Sequence, residues 1–229
     1  MKRILILGIA LMLSAVAFAQ KNATKFLGIP VDGTKNSMIQ KLKSKGFTYN
    51  ATRDYLEGEF NGRSVHVVIA TNNNKVWRIM VEDAVPTNET NIKIRFNTLC
   101  RQFEKNGKYM PQNFMGEFEI GEDVDLYYEM VVNKKRFQAA YYQVEENDMD
   151  SASAREYAME KVLSKYSQEE LAEMSEEEGQ NLLIRTALEY INDRISHKSV
   201  WFMISREYGD YTILIYYDNE LNGPNGEDL

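Results

Sequence analysis

The dipeptide Asn61-Gly62 stands between two runs in which apolar and polar residues alternate. Asn-Gly is the preferred pair for a two-residue hairpin turn, because both central positions of that turn need a positive φ. The turn sets the pairing: Leu56 faces Val67, Glu57 faces His66, and Gly58 faces Val65. Side chains alternate between the faces of a strand, so this register gathers Leu56, Phe60, Val65, Val67 and Ile69 on one dry face. The other face is largely polar. A chain that commits to this pair must build an antiparallel sheet and find something apolar to cover it.

The rest of the first half fits that demand. Asp32-Gly33 turns an extended segment into a helix predicted over 34–45, with Met38, Ile39 and Leu42 as its stripe and Gly46 as its stop. Beyond the hairpin, Trp77, Ile79 and Val81 alternate along 75–83. Trp77 and Ile79 share a face with Val67 and Ile69 only if an odd number of residues intervenes, which predicts a three-residue loop at Asn72-Asn73-Asn74. A helix over 87–106, carrying Ile92, Phe96, Leu99, Cys100 and Phe103 at helical spacing, then covers the dry face.

A similar pattern follows, with strands predicted over 114–120, 124–132 and 136–144. We therefore expect an α+β chain of two helix-plus-three-stranded meander units, 26–107 and 108–218, forming one mature domain that ends in a polar tail at 219–229. A helical insertion at 151–196 carries capping boxes at Ser167/Glu170 and Ser175/Glu178. A closing hairpin, 200–206 and 211–218, turns at Gly209-Asp210; both its faces are apolar, which predicts a central, doubly covered place in the sheet.

Residues 1–19 have the grammar of a cleavable signal peptide: Lys2 and Arg3, an apolar run, and the triplet Ala17-Phe18-Ala19 before Gln20. The apolar run is too short to span a bilayer, so the expected mature chain, 20–229, is exported to the periplasm or beyond without a membrane anchor. The full chain has a formal charge of −7, and loss of Lys2 and Arg3 moves it to −9. That balance speaks against nucleic acid as a partner. The single cysteine, Cys100, allows no intrachain disulfide, and its place on the helix stripe reads as core.

No serine elbow, phosphate loop, HExxH helix or paired-cysteine spacing is present, so the sequence points to no catalytic residue and no cofactor. The weak metal candidate is Asp218, Glu220 and Asn222, which fit the start of a calcium loop. Its twelfth position falls on Leu229, which offers no bidentate side-chain carboxylate. Four aromatics on strand faces opposite the core, Tyr127, Tyr142, Trp201 and Tyr216, form the candidate binding surface, because tyrosine and tryptophan are habitual anchors of recognition. A second layer beneath the helical insertion is the competing role for them.

The segments FLGIPVDGTKNSMIQKLKSKGF (26–47) and YYDNELNGPNGEDL (216–229), with the leader ending in Phe-Ala-Gln, resemble parts of uncharacterised exported proteins of Bacteroidetes-type bacteria. The resemblance implies an envelope or secreted location and carries no activity. The expected function is a non-catalytic exported module that binds a protein or small ligand. A carboxylate-based hydrolase of envelope glycan or polysaccharide is the alternative, since such chemistry needs only two carboxyl groups.

Overall fold

The computed structural model describes residues 23–113, 118–145, 148, 150–224 and 226. The signal segment 1–19 lies outside the described residues, as do 114–117 of the strand predicted at 114–120 and Leu229 at the end of the tail. The chain divides into two compact units, one formed by 144–196 and the other by what precedes and follows it.

In the larger unit, a small ribbon of β1 (Lys25–Phe26) and β2 (Ile29–Pro30) leads to α1 (Lys35–Lys43). Thr34 caps α1 by accepting from the Ser37 N–H, and Met38, Ile39 and Leu42 are buried as the spacing predicts. A meander follows: β3 (Thr48–Asn50), β4 (Tyr55–Phe60), β5 (Arg63–Asn72) and β6 (Lys75–Asp83). The pairing around Asn61-Gly62 is the expected one, with Leu56 opposite Val67 and Glu57 opposite His66. Both turn residues have positive φ, 51° and 69°.

The next connection corrects the three-residue loop. Asn72 pairs with Lys75, so the turn is the two residues Asn73-Asn74, both left-handed. The extra residue that the face pattern demands sits in the strand instead. Ala70 pairs with Arg78 and Thr71 with Val76, which leaves Trp77 as a β-bulge. Two consecutive half-buried residues, Trp77 and Arg78, thus stand between core-facing Val76 and Ile79.

Helix α2 (Glu89–Lys105) begins at an Asn88 cap and buries Ile92, Phe96, Leu99, Cys100 and Phe103. It leads to β7 (Tyr109–Pro111) and, further on, β8 (Gln138–Gln143). The strand predicted at 124–132 is not one. Residues 126–132 are helical, ending in a wide turn at Tyr128–Val132. Asp125 starts it by accepting from the Tyr128 N–H, and of the alternating apolar residues only Leu126 is buried. A local carboxylate cap outweighs period-two alternation where no neighbouring strand supplies hydrogen bonds. Residues 118–120 are irregular; the Asn97 side chain of α2 pairs with both backbone groups of Ile120.

The closing strands are β9 (Lys198–Glu207) and β10 (Asp210–Asn219), joined at Tyr208-Gly209, with φ 50° and 101°, rather than at Gly209-Asp210. The eight strands form one sheet in the order β3-β4-β5-β6-β10-β9-β8-β7, with β6 antiparallel to β10. This order corrects the two three-stranded units. Each half is a helix followed by a four-stranded meander, α1 with β3 to β6 and α2 with β7 to β10, and the halves meet at the β6–β10 seam. The closing hairpin is the end of the second meander. The insertion interrupts that meander between β8 and β9.

One face of the sheet carries a single core with α1 and α2, including Ile79, Val81, Phe202, Ile213, Ile215 and Tyr217. On the other face Trp201, Met203, Leu214 and Tyr216 are half-buried, so β9 and β10 are central but not dry on both sides. Among the glycines, Gly58 has a steric role: a Cβ there would meet the Phe47 ring at 2.5 Å.

The smaller unit holds α3 (Ser151–Lys165), α4 (Gln168–Glu173) and α5 (Glu176–Ile195), and no described helix is long and apolar enough to cross a membrane. Both predicted capping boxes form, Ser167 with Glu170 and Ser175 with Glu178. Backbone and side-chain hydrogen bonds from these serines hold both glutamates below the usual carboxylate range. Each carboxylate is therefore more acidic folded than unfolded. Its contribution is complete above the unfolded value and disappears as the pH falls through the folded one. Amide exchange should show the first turns of α4 and α5 protected from neutral pH down to the ordinary glutamate range and fraying below it. Fraying that begins near neutrality would contradict the capping account.

Candidate functional site

The β6–β10 seam places its residues by register alone. Asp218 lies opposite Arg78 on β6 and opposite Ser199 on β9, while Tyr216 lies opposite Met80 and Trp201. Directly opposed residues project from the same face, so Arg78, Asp218, Tyr216 and Trp201 converge on the face turned away from α1 and α2.

Their contacts are specific. Arg78 Nε and Nη2 donate to the two oxygens of Asp218 at 2.7 and 2.6 Å, a bidentate pair with the carboxylate side almost buried. Trp201 Nε1 donates to the same carboxylate at 2.9 Å. The Trp201 and Tyr216 rings stack with centroids 4.0 Å apart and 15° between planes. The Arg78 guanidinium lies 4.2 Å from the Trp77 ring centroid, 4.9 Å from that of Tyr216 and 5.5 Å from that of Trp201. The bulge at Trp77 makes this possible, because without it Trp77 and Arg78 would point to opposite faces. Burial raises the Tyr216 phenol above its ordinary value, so it stays protonated at neutral pH.

Of the four predicted aromatics, Trp201 and Tyr216 meet here. Tyr142, half-buried on β8, extends the same face, since it pairs with Ser199, the β9 partner of Asp218. Tyr127 does not belong. It sits on the helical turn after Asp125, with the guanidinium of Arg206 4.9 Å over its ring. Arg206 shares the strand parity of Phe202 and Ile204, which places Tyr127 on the core side of the sheet. Trp77 and Arg78 were missed as site residues, because only a bulge and a long-range strand pairing bring them in.

The metal candidate is taken up by other contacts. Both Asp218 oxygens bond to Arg78, and Trp201 shares one of them. Asn222 turns its amide nitrogen to Asp32 and to the Val76 carbonyl, at 2.8 and 3.0 Å. Among the described residues no group of three or more histidine, cysteine, aspartate or glutamate side chains could hold a metal ion. Glu220 is shifted upward, first by burial and then by the Asp218 charge. Compared with known proteins, the chain matches no family model, no curated protein and no solved structure. The site is therefore read from its own geometry.

Two single residues of types that often serve in chemistry, His66 and Cys100, have structural surroundings. His66 rests against the Tyr55 ring, centroids 4.4 Å apart. Cys100 is fully buried, and burial, then Glu104 and Glu119, push its thiol up to about 12. The nucleophile is the thiolate, so Cys100 should resist iodoacetamide in the folded protein at pH 8 and react only on unfolding. Mass spectrometry after a timed pulse checks this. Stoichiometric labelling of the native protein would show that the core opens there.

Proposed function

We propose that this chain is an exported, non-catalytic binding module of the cell envelope that holds a protein or small ligand against the sheet face at the β6–β10 seam. The observation that carries the reading is the cluster of Trp77, Arg78, Trp201 and Tyr216 organised around Asp218. Tryptophan, tyrosine and arginine dominate binding hot spots. Here the guanidinium is already paired and packed between rings, so a partner meets a rigid surface and orders few side chains on binding. The leader 1–19 and its resemblance to exported Bacteroidetes-type proteins support the envelope location.

The hydrolase alternative has less support. Asp218 and Glu220 are the carboxylates nearest the cluster in sequence, and both Asp218 oxygens are engaged by a bidentate arginine, one of them also by an indole donor. A carboxylate whose two oxygens are already taken has neither one free to accept a substrate proton or to attack. Pull-down from the native envelope, run in parallel with wild type and Trp201→Ala, separates the readings. A stoichiometric partner retained by the wild type and weakened by roughly 30-fold or more in the variant, the loss of a hot spot, supports the proposal. An unreactive Cys100 verifies that the variant has kept its fold. Equal recovery by both proteins would refute the assignment of this face.

A further inference from the structure

The net charge of the chain sits in the smaller unit. Residues 144–196 carry 14 Asp and Glu against 5 Lys and Arg, a formal −9, whereas the whole chain is −7. The same unit has an apolar groove of about 190 Å³, lined by Met159, Val162 and Leu163 of α3, Leu171 of α4 and Leu182 and Leu183 of α5. Leu163 is 62% exposed and Met159 46%.

Exposed charges of both signs flank this groove, Arg155 four residues before Met159 and Arg185 three after Leu182 among them, and the acidic ones prevail over the unit. Glu156 and Glu160 stand three residues before Met159 and Leu163 respectively along α3, and Glu178 stands four before Leu182 on α5, the spacings that make helix neighbours. All three glutamates are exposed. Gly179, inside α5, also lines the groove, and a Cβ built there meets nothing within 4 Å. A glycine in a helix weakens it without adding contacts. Its presence here keeps the groove open.

We infer that the insertion is a second docking surface, which takes the apolar face of a basic amphipathic helix from a partner protein. Charge selects this occupant. An apolar helix face fills the groove while its lysines and arginines meet the net negative charge of the unit. A second copy of this chain would bring its own −9 unit against the first, and an anionic lipid or fatty acid would be repelled in the same way. The surface belongs to a different unit from the β6–β10 seam, so either assignment can fail without the other.

The test uses the full chain and a labelled synthetic peptide of leucine and lysine spaced to give one apolar helical face, followed by fluorescence anisotropy at physiological salt. Comparison peptides are a scramble of the same composition and a leucine–glutamate peptide of the same pattern. The ordered leucine–lysine peptide should bind, and the other two should bind at least about tenfold more weakly, the share that burial of one leucine side chain contributes. Leu163→Gln, which removes exposed apolar surface, and Gly179→Leu, which plugs the groove, should each weaken binding to a similar degree. Ile94→Gln, at an exposed position of α2 in the other unit, should leave it unchanged. Far-UV circular dichroism confirms that each variant keeps its helices. Equal binding of the scramble, equal binding of the acidic peptide, or wild-type affinity in both groove variants would each overturn the inference.

Discussion

Arg95→Ala should lower the stability of the larger unit by about 3–5 kcal/mol, the loss expected when one partner of a buried ion pair is removed. Arg95 lies on α2 and is itself buried, an unusual place for a guanidinium. Its Nε and Nη2 donate to the two oxygens of buried Asp83 at the end of β6, at 3.1 and 3.3 Å. Its remaining Nη1 donates to the Asn61 side chain at 2.6 Å. The residue that forms the hairpin turn is thereby tied to the helix covering the hairpin. Alanine would leave the Asp83 carboxylate buried without its cation and release the turn at once. Denaturant unfolding followed by tryptophan fluorescence measures the effect cleanly, because both tryptophans, Trp77 and Trp201, lie in this unit. The double variant Asp83→Ala/Arg95→Ala should lose much less than the sum of the two single losses, since the penalty is mainly the orphaned partner. Additive losses would show that the two side chains act independently.

Phe202→Ala should cost a similar amount, about 3–5 kcal/mol, by opening a cavity in the core. Phe202 is fully buried on β9, between Ala139 on β8 and Ile215 on β10. The rings of Phe96 and Phe103, one helical face of α2, stand 5.1 and 5.3 Å from its own, and Tyr141 stacks at 6.1 Å. Three rings held by two different elements, α2 and β8, cannot all collapse into the vacated space, so the upper part of the range is expected. Phe202→Leu, which keeps more of the volume, should lose far less. A loss below about 1.5 kcal/mol for the alanine variant would mean that α2 relaxes onto the sheet, contrary to the close-packed core described above.

Local chemistry explains which parts of this fold can be read from the chain. The Asn61-Gly62 turn dictates its own register, and the α2 stripe and the two capping boxes act within a few residues, so all appear where expected. Beyond Asn72, strand parity demands one extra residue to bring Ile79 and Val81 onto the face of Val67 and Ile69. A longer loop and a bulge both do this for Ile79, but the bulge turns Trp77 away from the predicted dry face to stand beside Arg78. Strands β3 and β7 have three residues each, too few to show a period. Residues 124–132 alternated well, but Asp125 as a cap decided for a helical turn.

The seam was illegible for a different reason. Arg78 and Asp218 stand 140 residues apart, and nothing near either one announces the partner. Their meeting depends on β10 pairing with β6 as well as β9. Trp201 and Tyr216 were placed on one face because hairpin parity survives a two-residue error in register. With Gly209-Asp210 as the turn Trp201 would have faced Asp218, whereas the Tyr208-Gly209 turn sets it against Tyr216. Tyr127 was misassigned because its strand was a helix.

The central claim, that the seam face holds the partner, is tested most directly by site-specific photo-cross-linking in intact cells of the native host. A benzophenone side chain replaces Met203, half-buried on the seam face, or, as the control, Ile94, exposed on α2. The account predicts one discrete adduct from position 203, none from position 94, and loss of the adduct when Trp201→Ala is added. An adduct that forms equally from both positions, or that survives Trp201→Ala undiminished, would contradict it.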